Sequence, residues 1–485
     1  MHCMSHGRLL AAAWLLATTT MAAGEDASLT PAQRGYRLLT EKEYLPPDFD
    51  QETFEAAWQH WPESVRSQAE KATPAERRKM AFERYGLTAR PDDPTKPLQY
   101  VIDDDGNWTM NCFACHGGTV PDGKGGVVVW PGAPNSRFAL QTLTEETRLA
   151  KATLVKPFSR MDIGSVAVPL GTSNGTTNAV MFGVVLMAFR DADLNVDTRR
   201  PIPPLTNHDM DAPPWWHFQR KKQLYIDGFA EKGHRGLMQF MLVKQNGPEK
   251  FREWEDDFRD VFAYLSSIGP PKYPYPIDQP LADRGRIAFS RVCAECHGTY
   301  GKAEVAPATA APLSPRGRGA GGEGADAAAD SYLEKLVPID VVGTDRVRLD
   351  ALTPKGRDAY GQSWFADYGR SHNVRDPGGY VAPPFDGIWA SAPYFHNGSV
   401  PTLWHVLHPG QRPIVWKRKG DEYDPVRAGP AIEMFKAMPA EIKEGSTKRE
   451  YFDTTAFGKS AAGHDFPDEL TADEKRAVLE YLKSL

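Results

Sequence analysis

Cysteine is scarce in this chain, with five among 485 residues. Cys3 stands in an apolar N-terminal segment, and the other four fall in two tight pairs. That leaves no scattered cysteines for the disulfide framework of a small secreted domain. Long apolar runs are missing beyond the N-terminus, which excludes a polytopic membrane protein and leaves the mature chain expected without a membrane span. Basic blocks are absent and the net charge is −6, so the sequence has no electrostatic footprint for nucleic acid. A single core stops growing well below this length, so two or three domains are expected. The 40 prolines and 42 glycines point to many loops.

Each cysteine pair is followed by a histidine: Cys112-Phe113-Ala114-Cys115-His116, and again Cys293-Ala294-Glu295-Cys296-His297. This order is the attachment signature of c-type haem. Two thiols add to the haem vinyl groups as thioethers, and the adjacent histidine binds the iron from the proximal side. A zinc site would want further ligands nearby, and a redox dithiol needs no adjacent histidine. Two covalent haems are therefore expected, held by Cys112, Cys115 and His116 and by Cys293, Cys296 and His297.

Arg8, the apolar run Leu9 to Ala23 and the small residues Ala22, Ala23 and Gly24 read as a secretory signal over residues 1–24. A retained anchor is the other reading. Export agrees with the haem motifs, because c-type haem is attached outside the cytoplasm, and a periplasmic or secreted protein is expected. Cys3 would leave with the signal.

Further along, Ser136 to Ala152 reads as a helix with Ser136 near its cap, and Ala179 to Phe189 as a very apolar helix that should be buried. Phe251 to Ile268 reads as an amphipathic helix ending in Tyr264-Leu265-Ser266-Ser267-Ile268. The C-terminus repeats that ending as Tyr481-Leu482-Lys483-Ser484-Leu485. One architectural unit is thus used twice, with a linker at Gly269 to Pro276. The expected layout is mainly α with little β: a first cytochrome c-like haem domain over 25–270, and a second over 271–485. Residues 303–330, rich in Ala, Gly and Pro, read as a disordered insertion within the second.

The spaced haem motifs, Val342-Gly343-Thr344-Asp345, the stretch Ala392-Pro393-Tyr394-Phe395-His396-Asn397-Gly398, and Gly463-His464 ahead of the last helix together resemble the di-haem cytochrome c peroxidase superfamily. Within it they resemble most the rubber-oxygenase-like c-type cytochromes. The resemblance runs from about residue 30 to the end. It implies two mostly helical cytochrome c-like domains with haems close enough to exchange electrons. It also implies chemistry on dioxygen or peroxide, with the first haem reactive and the second an electron relay. Rubber oxygenases cleave polyisoprene double bonds with dioxygen, and the peroxidases reduce hydrogen peroxide.

Sixth ligands decide between an electron carrier and a reactive iron. Histidine candidates are His208, His217, His234, His372, His396, His405, His408 and His464. Met434 and Met438 are further options. The resemblance singles out His464 as the distal ligand of the second haem, with His396 as the next choice. It also suggests Trp215, Trp216, His217 and Phe229 as the distal wall of the first haem, with Trp216 and Phe229 the residues expected to shape its reaction pocket. Ordinary aromatic core is the competing reading of that cluster. The partners implied are a small-molecule oxidant, a redox protein and an apolar substrate. Chain size favours an enzyme over a non-enzymatic electron-transfer cytochrome.

Overall fold

The computed structural model describes residues 28–201, 206–301 and 330–485. The expected signal segment lies outside them, as does the expected insertion apart from Asp330, which ion-pairs with Arg220. Helix makes up 43% and strand 14% of the fold, with no closed barrel, so the chain is mainly α.

Seven helices carry the argument: α1 (Pro31–Glu41), α2 (Leu140–Thr153), α3 (Arg160–Ala167), α4 (Ala179–Ala188), α5 (Glu255–Ser267), α6 (Gln279–Val292) and α7 (Ala472–Lys483). Sequence sets their starts. Thr30 and Gln33 form a capping box ahead of α1, Asp278 caps α6, and Thr471 with Glu474 boxes α7.

Helix α1 packs on α5, and α6 packs on α7. In each half, then, the helix near the start crosses the helix at the end. The same device permits both crossings. A Cβ on Gly35 would lie 2.1 Å from the Asp260 carbonyl oxygen, and one on Gly285 would lie 1.9 Å from that of Ala477. Only glycine lets the backbones approach this closely. Arg34 then clamps α1 to α5 through two bonds to Asp260, at 2.7 and 2.9 Å. Replacing Gly285 by Leu is expected to cost about 1–3 kcal/mol or more, because the crossing has no room to relax. Denaturant unfolding of the haem-loaded protein measures it, and an unchanged midpoint would contradict the packing.

The linker Gly269 to Pro276 holds no helix or strand. Buried apolar residues from Leu39 to Leu482 nevertheless form one core spanning both halves. A second core, from Phe49 to Leu170, lies within the first half.

Three helices depart from expectation. Helix α2 starts at Leu140, four residues late, because Ser136 instead accepts a bond from Arg418 at 2.8 Å. The amphipathic helix from Phe251 breaks at Trp254 into Pro248–Glu253 and α5. Helix α4 is not fully buried: only Met181, Gly183 and Met187 are. Its other apolar side chains are half-buried because the helix walls a cavity, and Val180, Phe182, Val185 and Leu186 face it.

Candidate haem-binding site

Each motif forms a single helical turn, Phe113–His116 and Ala294–His297. The histidine amide closes the turn on the first cysteine, at 3.2 Å in one and 3.0 Å in the other. The spacing i, i+3, i+4 thereby sets both thiols and the imidazole on one face.

The two histidines are held in the same way. His116 Nδ1 donates to the carbonyl of Pro213 at 3.1 Å, and its ring stacks on Trp215, centroids 4.8 Å apart. His297 Nδ1 donates to the carbonyl of Pro383 at 2.9 Å, and its ring stacks on Phe385 at 4.1 Å. A carbonyl on Nδ1 fixes the tautomer and leaves Nε2 free for a metal. Burial pushes both pKa values down to about 4, against the opposing pull of the proline carbonyls, so both rings are neutral donors.

These partners belong to one sequence unit used twice. Ala212-Pro213-Pro214-Trp215 recurs 170 positions on as Ala382-Pro383-Pro384-Phe385. The offset persists through the following loop. Tyr225 and Phe395 both have φ +68°, Gly228 and Gly398 both have positive φ, and the pairing of Leu224 with Ala230 matches that of Tyr394 with Val400.

Both motifs open onto one cavity of about 1230 Å³, lined by Cys112, Cys115 and His116 and by Cys293, Cys296 and His297. Pockets for single small ligands run to roughly 300–1,000 Å³, so this space suits something larger. Its walls are mostly apolar. Burial holds the thiols in their neutral form, pushing Cys112 up to about 11 and Cys115 and Cys293 up to about 12. A redox dithiol needs a lowered thiol pKa, so these cysteines are poor candidates for that role. No group of three or more histidine, cysteine or acidic side chains among the described residues forms a metal cluster, which leaves zinc without a ligand set. The donor set fits c-type haem: two free thiols and a neutral, oriented imidazole at each end of a large apolar space.

Across the second site stands His464. Its ring centroid lies 6.1 Å from that of His297, at 67°. Metal–imidazole bonds of ~2.0–2.1 Å, with ring centroids about 1 Å further out on each side, require a separation of roughly 6 Å. The observed 6.1 Å is of that size. His464 is held there by its loop. Its amide donates to Val342 at 2.7 Å, and Arg412 donates to the carbonyls of Ala461, Gly463 and His464. Gly463 touches the backbone at Gly343, where a Cβ would clash at 2.2 Å. Burial, then His297 and Arg412, push the pKa of His464 down to about 3, so it too is neutral.

No second histidine ring faces His116 among the described residues. His217 lies in the cavity wall, but its Nε2 engages the Asp386 carbonyl at 3.0 Å. His234 pairs with Glu255, and His208 bonds the Thr206 carbonyl. By the 170-residue offset, the residue matching Phe395 beside His464 is Tyr225, which lines the cavity. Its hydroxyl accepts a bond from Gln239.

Several expected site residues stand elsewhere. Trp216 is 1% exposed and is not in the cavity wall; its indole donates to the Asp386 carbonyl at 2.8 Å. Phe229 is also behind the wall, stacked on Tyr225 at 4.5 Å. Trp215 sits on the proximal side of His116 rather than the distal side. His396 lines the cavity but packs its ring, tilted by 39°, against Tyr380 at 4.6 Å instead of facing either motif histidine. Met434 is exposed, and neither it nor Met438 reaches the wall. Sequence reasoning missed Tyr225 and the two proline carbonyls. The repeated Ala-Pro-Pro-aromatic run was the signal for both.

A short route joins the sites. Trp215 stacks on His116, its neighbours Trp216 and His217 both donate to the Asp386 carbonyl, and Asp386 follows Phe385, which stacks on His297.

The family model described as "RoxA-like, cytochrome c-like" matches residues 379–417. A cytochrome c-like domain implies covalently bound c-type haem. The matched stretch holds Tyr380, Pro383, Phe385, Phe395 and His396. Two proteins of Sinorhizobium fredii are similar. Uncharacterized protein y4iJ is 28% identical over 275 residues, 46% of this chain and 42% of its own length. Uncharacterized protein y4iM is 26% identical over 311 residues, 58% of this chain and 66% of its own length. Less than two thirds of either relative is spanned. No helix among the described residues is long and apolar enough to cross a membrane.

Proposed function

We propose that this chain is an exported di-haem c-type cytochrome that acts as an oxidoreductase on dioxygen or peroxide, working in the periplasm or outside the cell. The first haem, held by Cys112, Cys115 and His116, is the reactive one. The second, held by Cys293, Cys296 and His297 with His464 opposite, is the relay. The observation that carries this reading is the asymmetry of one cavity: a histidine stands 6.1 Å across from His297 and, among the described residues, none stands across from His116. A c-type haem supplies an iron that passes single electrons and, where one axial side is open, binds small oxidants.

The chain's own residues do the rest. Pro213 and Pro383 fix the proximal imidazoles. Helix α4 and Tyr225 form an apolar wall that excludes water and receives an apolar substrate, as in a rubber-oxygenase-like enzyme. Peroxide reduction is a second reading, in the manner of a di-haem peroxidase. It is favoured by the route through Trp216 and Asp386, since reducing peroxide to water takes two electrons and one would arrive from the second site.

Two assays separate the readings: carbonyl products from polyisoprene under dioxygen, and peroxide consumption with a reduced donor. Tyr225→Ala is expected to lower turnover at least tenfold in whichever assay is positive, with both haems retained. Full turnover by that variant would remove Tyr225 from the reaction pocket. If native protein is inactive in both assays, the oxidoreductase reading fails.

A further inference from the structure

Behind the cavity wall lies a buried group of charges that the proposed chemistry does not use. Arg357 donates to Asp227 Oδ2 at 2.8 Å, and Arg348 reaches the same oxygen at 3.4 Å. All three side chains are sealed from solvent, at 2% exposure or less. Two guanidinium groups therefore share one carboxylate. Other acids nearby are already engaged. Asp345 accepts the amides of Val347 and Ser460, and Asp209 pairs with Lys459 at 3.2 Å. Among the described residues, Nε and Nη2 of Arg348, Nε of Arg357 and Nε2 of His208 have no hydrogen-bond partner, and neither do Oδ1 of Asp227 and Oδ1 of Asp209. A buried, uncompensated cation is costly unless an anion approaches it.

In front of this group stands His396. It lies in the cavity wall, its ring packs tilted against Tyr380, and it makes no side-chain hydrogen bond among the described residues. Arg348 and His208 both act electrostatically on it. A metal cation is disfavoured where Arg348 sets the potential, and an anion is favoured. His464 already stands across from His297, so an iron held between them would leave no axial position for His396. The covalent group expected in this cavity brings its own anions, the propionate carboxylates of haem. Phe395, the neighbour of His396, packs 5.9 Å from His464, which ties the position to the second site.

The geometry points to His396 as the hydrogen-bond donor to a propionate of the second haem, with Arg348 the positioning charge behind it. This inference rests on the two-haem reading above. A positive charge near a haem disfavours the ferric state, so Arg348 holds the potential of that haem up.

The test is spectroelectrochemical titration of the native protein and of Arg348→Gln, Arg348→Lys and His396→Asn, after intact mass has established the haem number of each. Arg348→Gln is expected to lower the midpoint potential of the low-spin haem, and Arg348→Lys to restore most of it. His396→Asn is expected to shift the same potential while the iron stays low-spin. Conversion of the low-spin iron to high spin in His396→Asn would overturn the inference, because that histidine would then be an axial ligand. Unchanged potentials in His396→Asn would overturn it as well. A native mass without two haems would overturn the reading beneath it.

Discussion

Replacing Cys112 and Cys115 by alanine removes one covalent haem and leaves the other, and replacing Cys293 and Cys296 removes the other one. The expectation follows from the geometry at each site. Each pair of thiols shares a face with its histidine on a one-turn helix, and all four described thiols are free and open to the cavity. None of the four is tied up in a disulfide, so each pair is available for thioether formation. Intact mass of the exported protein reads the effect directly: two haem increments in native protein and one in each double variant. The effect on the fold should be unequal. Loss of the first haem empties the region walled by α4, whose half-buried Val180, Phe182 and Leu186 would then face water. Burying such side chains is worth about 1.5–3 kcal/mol each, so the Cys112/Cys115 variant should also unfold at lower denaturant. A native mass with a single increment would show one motif to be structural only.

The second large effect concerns His464. His464→Ala is expected to turn the second iron from low-spin to high-spin and open it to carbon monoxide, with both haems still attached. The ring is held by backbone on both sides: its own amide on Val342 and the Arg412 clamp on the loop carbonyls. Truncating it therefore leaves the loop in place and only the ligand position vacant. His396→Ala should leave that iron low-spin. The opposite pattern, with His396 controlling spin state and His464 silent, would mean that the 6.1 Å approach of His464 to His297 is incidental packing.

How much of this was visible in the residues differs by feature. The two Cys-x-x-Cys-His motifs need only local geometry, one helical turn each, and so are readable from spacing alone. The repeated endings of α5 and α7 were visible in the sequence, but the crossing of α1 on α5 and of α6 on α7 was not. What made both crossings possible, Gly35 and Gly285, depends on a partner more than 190 residues away in each case. Helix α4 was misjudged because an all-apolar helix signals burial, yet cannot say whether protein or cofactor covers it. Trp216 and Phe229 looked like a pocket because aromatic clusters line pockets and fill cores alike. The outcome turned on single hydrogen bonds and stacks, Trp216 to Asp386 and Phe229 to Tyr225. The Ala-Pro-Pro-aromatic unit was in the sequence twice. Its meaning, a carbonyl for Nδ1 and a ring to stack on the imidazole, appears only when residues 86 to 99 positions apart meet.

The central claim is that one cavity holds two irons made different by their axial sides. Carbon monoxide titration of the fully reduced native protein tests it most directly. The account predicts one equivalent bound per chain, at the haem attached to Cys112 and Cys115, with the other haem keeping its six-coordinate spectrum. Binding at neither haem, or at both, would contradict it.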